Sequence, residues 1–230
     1  MHETVATYSD DGRVPLHAVV AELTRAGLVS DRPRAVRRTV LDTFDGRLHE
    51  KKLRLELRTA PTSEIVLSGP GVVPARAGLV DVPRFGRDLP PGPLRARVAD
   101  VIEVRTLLPV VTIGEKETAG VVRDRSGVAV ATVVVHEDAA VVGVDAPLPW
   151  TVDVVELPGY AKAGAELRDR VENLGLRRLE GDLVDLAISA AGIDPAGFTG
   201  SPSIPLDLAS PAPEAFRAVL ANLDRAIAAN

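Results

Sequence analysis

The run Leu53-Arg54-Leu55-Glu56-Leu57-Arg58 carries the first readable chemistry in this chain. Its period of two places Leu53, Leu55 and Leu57 on one face of a strand and Arg54, Glu56 and Arg58 on the other. A one-sided antiparallel sheet turns such a charged face to water. A sheet curled into a barrel turns it into a lumen, where two arginines could grip an anionic ligand. The spacing alone leaves both readings open. Just upstream, Arg38 to Asp42 reads as the partner strand, closed by Asp42-Thr43-Phe44-Asp45-Gly46.

The elements that must position these groups follow from periodicity and punctuation. Residues 2–8 read as a strand ended by Ser9-Asp10-Asp11-Gly12, and Pro15 opens a helix over 15–26 with Leu16, Val19, Val20 and Leu23 at helical spacing. Strands are expected at 35–43, 52–58, 63–68 and 73–84, then a short helix at 93–100. From Val101 to Val144 the composition is β throughout, in pieces 101–113, 115–123, 128–136 and 139–144, with Asp124-Arg125-Ser126-Gly127 as a hairpin turn. Thr151–Leu157 is one more strand. Helices follow at 163–174 and 183–191, the second with Asp182 as N-cap. The expected class is α+β: an antiparallel β-barrel or tunnel of about eight strands with flanking helices, although the same pattern also suits a sandwich.

Composition narrows the function classes. Among 230 residues, 46% are hydrophobic and 26% charged, as in a folded soluble domain. The absence of cysteine excludes disulfides and thiolate metal sites, and fits a cytoplasmic protein. No signal-like or membrane-spanning run is present. A net charge of -5 argues against nucleic acid as a partner but leaves room for a local cationic pocket. The four histidines, His2, His17, His49 and His136, show no ligand spacing and read as ordinary side chains. Gly69-Pro70-Gly71 is a turn, and no Gly-x-Ser-x-Gly elbow occurs.

Leu41, Asp42, Thr43, Asp45, Leu48, Leu53, Arg54 and Arg58 together resemble the CYTH, or triphosphate tunnel metalloenzyme, family. The resemblance extends over residues 2–193, through Leu108-Pro109-Val110, the Asp124–Gly127 hairpin and Glu156-Leu157-Pro158-Gly159. It divides the chain into a tunnel domain (1–193), a Pro/Ser/Gly linker (194–213) and a last helix (214–230) that resembles the opening of a CHAD domain. It implies a lumen where arginines and lysines orient phosphates while carboxylates hold Mg or Mn, which activates water. Carried over residue by residue, the phosphate-binding set is Arg38, Arg54, Arg58, Arg105 and Lys116, and the metal ligands are Glu3 and Glu156.

The chain departs from that pattern at several points. The family's Glu-x-Glu-x-Lys falls at Glu3, Val5 and Thr7, and Glu56 replaces an arginine. Ser68 stands for a lysine, and Thr112 and Gly114 for arginines. Thr132, Val135 and Val154 stand for carboxylates, and Gly181-Asp182 for a Ser-Lys pair. The expectation is therefore a CYTH-like domain that has lost metal-dependent triphosphatase activity and binds polyphosphate or another small polyanion. One alternative is an active tripolyphosphatase or nucleoside triphosphatase with atypical ligands. Another is an interaction module that meets a partner domain or a second copy through 214–229, where Phe216, Val219, Leu220, Leu223 and Ile227 form a stripe. The number of carboxylates converging at one lumen position separates the first two.

Overall fold

The computed structural model describes residues 5–10, 12–70, 74–144, 146–194 and 211–228. Glu3 and most of the linker lie outside the described residues. Among the described residues there are ten antiparallel strands: β1 (Val5–Ser9), β2 (Leu28–Ser30), β3 (Arg34–Asp42), β4 (Arg54–Thr59), β5 (Ser63–Ser68), β6 (Ala75–Leu79), β7 (Leu108–Arg123), β8 (Ala129–Val141), β9 (Thr151–Glu156) and β10 (Arg177–Arg178). They form a single sheet in the order β10-β1-β9-β8-β7-β3-β4-β5-β6, with β2 added to β7. Among the described residues the path ends at β10 and β6, with no pairing between these two edges. The helices are α1 (Leu16–Arg25), α2 (Arg47–Glu50), α3 (Pro93–Ile102), α4 (Ala161–Asn173), α5 (Leu183–Ala190) and α6 (Ala212–Ala228).

Alternation gives the sheet an apolar outer face and a mixed inner one. On one half of the outer face, α1 and α4 bring Val19, Leu23, Leu167 and Val171 against Ala6, Tyr8, Val133, Val135, Val152 and Val154. On the other half, α2 and α3 bring Leu48, Leu94, Val98 and Ile102 against Leu41, Leu53, Leu55, Leu57, Ile65 and Leu67. The third apolar cluster lies on the inner face. There α5 covers Val40, Val111, Ile113, Ala139 and Val141 with Leu183, Val184 and Ala187. So α5 spans one end of the tunnel-like surface, and polar residues occupy the rest.

Two local expectations change. The β reading of Val101-Ile102 fails because Leu94, Val98 and Ile102 recur at helical spacing, so burial of that stripe extends α3 to Ile102. Glu103, with φ 54, then turns the chain out of the helix. Within the long hairpin, β7 runs unbroken through Gly114, and β8 runs through a bulge opposite Glu115, where Asp138 takes φ 50. The bulge moves the inward row of β8 from His136 to Ala139 and Val141.

The Asp42-Thr43-x-Asp45 signature has a local structural cause. The buried Asp42 carboxylate accepts from the backbone N–H groups of Thr43 (2.7 Å), Leu48 (2.9 Å) and His49 (2.9 Å), closing β3 onto α2. Replacing Asp42 with Ala orphans these donors and is expected to cost about 2 kcal/mol in a urea unfolding titration. An unchanged midpoint would contradict that role.

Candidate functional site

The inner face gathers charged side chains from five strands and a hydroxyl from a sixth. Arg34 and Arg38 come from β3, Arg54, Glu56 and Arg58 from β4, and Glu115 and Glu117 from β7. His136 comes from β8, Asp153 from β9 and Thr7 from β1. Opposed pairs across each ladder share a face, which is how Arg34 meets Glu117 and Glu117 meets His136.

These groups form two networks side by side, one running from Arg38 to Thr7 and one centred on Glu117. Arg38, only 8% exposed, donates to Glu56 at 2.9 Å and lies 3.7 Å from Glu115 Oε1. The other oxygen of Glu115 meets His136 Nδ1 at 2.8 Å, and His136 Nε2 meets Asp153 at 3.2 Å. Asp153 in turn accepts from the Thr7 hydroxyl at 2.7 Å. Glu117, 2% exposed, accepts from Arg34 on one oxygen (2.6 Å) and from Arg58 on the other. Burial pushes the His136 pKa down, but its bonds to Asp153 and Glu115 outweigh this and raise it to about 9. Burial likewise pushes Glu117 up, and Arg58 and Arg34 overcome it, holding its carboxyl below the usual range. Arg34 and Arg58 thus share Glu117, Arg38 lies against Glu56 and Glu115, and His136 bridges Glu115 and Asp153.

Of the residues singled out in the sequence, Arg38, Arg54 and Arg58 share this inner face. Arg54 sits at its α5 end, bonded to Asp182 and, at 2.6 Å, to Asp185. Lys116 lies on the opposite face of β7, 3.6 Å from Glu137. Arg105 stands apart, held by Asp45 at 2.7 Å and Glu103 at 3.3 Å beside α3. Burial pushes Asp45 up, but its bonds to Thr43, Arg47 and Arg105 keep its carboxyl low. Glu156 points to the outer face, where Arg168 of α4 donates to it at 3.0 Å and Gly164 leaves room for it. The structure therefore brings together three of the five expected cations and separates Glu156 from them.

Arg34, Glu115, Glu117, His136 and Asp153 are the inner-face residues that sequence reasoning missed. The available signal was Glu115-Lys116-Glu117: two carboxylates two apart within a β run must share a face.

Glu115, Glu117 and His136 each offer a ligand atom, all within 4.8 Å of one another, a spacing that suits a metal ion. Glu115 Oε1 is buried and accepts no hydrogen bond. The partners of the other two oppose binding. Both oxygens of Glu117 are taken by arginines, and both nitrogens of a protonated His136 donate, leaving no lone pair for a metal. A hard divalent ion here would meet the open Glu115 oxygen, but it has to displace the arginines from Glu117 and a proton from His136.

No family model matches the sequence, and no curated protein matches it either. Solved structures do match the fold. A candidate adenylyl cyclase from Hippeastrum, described as having a dominant triphosphatase activity, is 13% identical and covers 84% of this chain and 97% of its own, with a TM-score of 0.55. A candidate adenylate cyclase from Bacillus halodurans is 10% identical over 78% of this chain and 93% of its own, with a TM-score of 0.57. A Pyrococcus horikoshii protein is 10% identical over 83% and 98%, with a TM-score of 0.53. At these identities the likeness is one of fold, and it supports the CYTH-like fold that the sequence resemblance implies. It lends no support to a CHAD-like reading of the last helix. No helix among the described residues is long and apolar enough to cross a membrane.

Proposed function

We propose that this chain is an anion-binding module on a CYTH-like fold, without evolved phosphohydrolase activity. Its ligand class is polyphosphate or a small polyanion, held by Arg34, Arg38 and Arg58. One observation carries the reading: these arginines line one face, while each inward carboxylate beside them is already bound to a cation. Metal-assisted phosphoryl transfer needs carboxylates free to hold an ion and cations free to meet the developing charge. Here the two sets neutralise each other. A phosphate chain has to displace carboxylates from the arginines, so its binding is weak and salt-sensitive.

The convergence of four carboxylates, and the 4.8 Å grouping of Glu115, Glu117 and His136, favours a second reading. In it the chain is an active, Mg- or Mn-dependent tripolyphosphatase or nucleoside triphosphatase whose ligands lie on β7 and β8. The third reading, an interaction module, draws on the exposure of Phe216 (63%) and Leu220 (48%) on α6.

Calorimetric titration with tripolyphosphate, with and without Mg or Mn, separates the first two readings. The expected result is weak binding, indifferent to the metal and weakened about tenfold by Arg58→Ala. Binding that requires the metal and is lost in Glu115→Gln supports the second reading. No binding under any condition overturns both.

A further inference from the structure

Arg54 is held differently from the other inner-face arginines. Its partners belong to α5, a separate element laid across the end of the tunnel-like surface. Asp182 caps that helix, with one oxygen accepting from the N–H groups of Val184 (2.9 Å) and Asp185 (3.2 Å), while its other oxygen meets Arg54. Asp185 accepts from the Asp182 N–H at 2.9 Å and from Arg54 at 2.6 Å. Burial pushes the Asp182 carboxyl up, but Arg54 and then Arg38 pull it below the usual range, so its charge lies in the field of both arginines. Beside this contact, a cavity of about 340 Å³ lined by Val40, Asp42, Arg54, Val110, Asp185 and Ile188 lies at the junction of α5 with β3 and β4.

Capping alone does not require this charge. Serine caps a helix as well as aspartate does, and glutamine serves at the third position of a capping box. Two carboxylates converging on one guanidinium at the end of an arginine-bearing face do what an anionic ligand would do: satisfy its fork of donors from two sides.

We propose that Asp182 and Asp185 are a built-in competitor for the anion site, holding Arg54 in the position a phosphate-type ligand would take. The inference rests on the anion-binding reading above and deepens it. Such a ligand engages Arg54 only by displacing the α5 carboxylates. The affinity of the intact chain is therefore set partly by this helix.

The test is a metal-free tripolyphosphate titration at low salt. It compares the wild-type chain, the single variant Asp185→Gln and the double variant Asp182→Ser/Asp185→Gln, with thermal unfolding and helical content followed for each. The double variant keeps both capping acceptors and is expected to bind at least tenfold more tightly than wild type. Asp185→Gln, at an exposed position, keeps the Asp182 cap and leaves an amide oxygen to accept from the Asp182 N–H; it is expected to gain about threefold and serves should the double variant not fold. Adding Arg54→Ala to the double variant, or to the single one, is expected to abolish the gain. Wild-type affinity in a folded variant overturns the competitor while leaving the anion site standing, as does a gain that survives Arg54→Ala. No binding by any of the chains overturns the anion site, and the competitor with it.

Discussion

Arg38→Met is expected to lower the unfolding free energy by about 3–5 kcal/mol, the cost of breaking a buried ion pair from one side. Arg38 is almost wholly buried, and so are the partners it would leave behind, Glu56 and Glu115. Methionine fills much of the same volume, so the loss measures stranded charge more than a cavity. The double variant Arg38→Met/Glu56→Leu removes one of the stranded carboxylates. It should be more stable than the sum of the single effects allows, with a coupling of more than about 1 kcal/mol. Urea unfolding at neutral pH reads both quantities. If Arg38→Met falls within about 1 kcal/mol of wild type, the inner face is solvated and the network is not closed on itself.

The second large effect is a loss of stability on the alkaline side. His136 is clamped by two carboxylates, and its folded pKa of about 9 lies above the ordinary value of 6.5 that it regains on unfolding. A group whose pKa is raised in the fold stabilises fully below the unfolded value and loses that contribution as pH rises through the folded one. The window therefore runs from about pH 6.5 to about pH 9, and the contribution at its acid end is about 3 kcal/mol. Other shifted groups titrate outside it. Glu117, Asp45 and Asp182 are held low, and Tyr8 is raised to about 12 by burial and by its bond to Glu172. Unfolding titrations at about pH 6 and pH 9.5 should show the drop in wild type and little of it in His136→Gln. Equal slopes in the two proteins would place the titrating group elsewhere.

How much of this was legible in the sequence depends on the range of the interaction concerned. The alternation from Leu53 to Arg58 was readable because a strand's two faces are written in consecutive residues, and the leucines do pack against α2 and α3. Asp42-Thr43 was readable as a motif for a similar reason, since its partners Leu48 and His49 lie only six and seven residues on. The inward row of β7 was not. The sequence reading looked for arginines at Thr112, Gly114 and Lys116, whereas the sheet turns Ile113, Glu115 and Glu117 inward. A slip of one residue exchanges every side chain between faces. Both rows of this strand mix charged with small or apolar residues, so neither announces itself as the core side.

His136 was beyond reach for a different reason. Its partners Glu115 and Asp153 are 21 and 17 residues away, and only the joint register of β7, β8 and β9 brings them together. The placement of α5 on the inner face was equally hidden. Leu183, Val184 and Ala187 show that the helix must be buried, but not on which side of the sheet. Once it lies there, Asp182 changes from a helix cap into a partner of the arginines.

The most direct measurement is phosphate release from tripolyphosphate and from ATP by the purified chain with Mg or Mn. On the proposed reading, pairing of Glu117 with Arg34 and Arg58 and of Arg38 with Glu56 takes up ligands and donors that metal-assisted transfer requires, where one donor alone is commonly worth about 3 kcal/mol. The expected result is release no faster than in protein-free buffer with the same metal. Metal-dependent release that is abolished by Glu115→Gln or Arg58→Ala would contradict it and make the inner face a working active site.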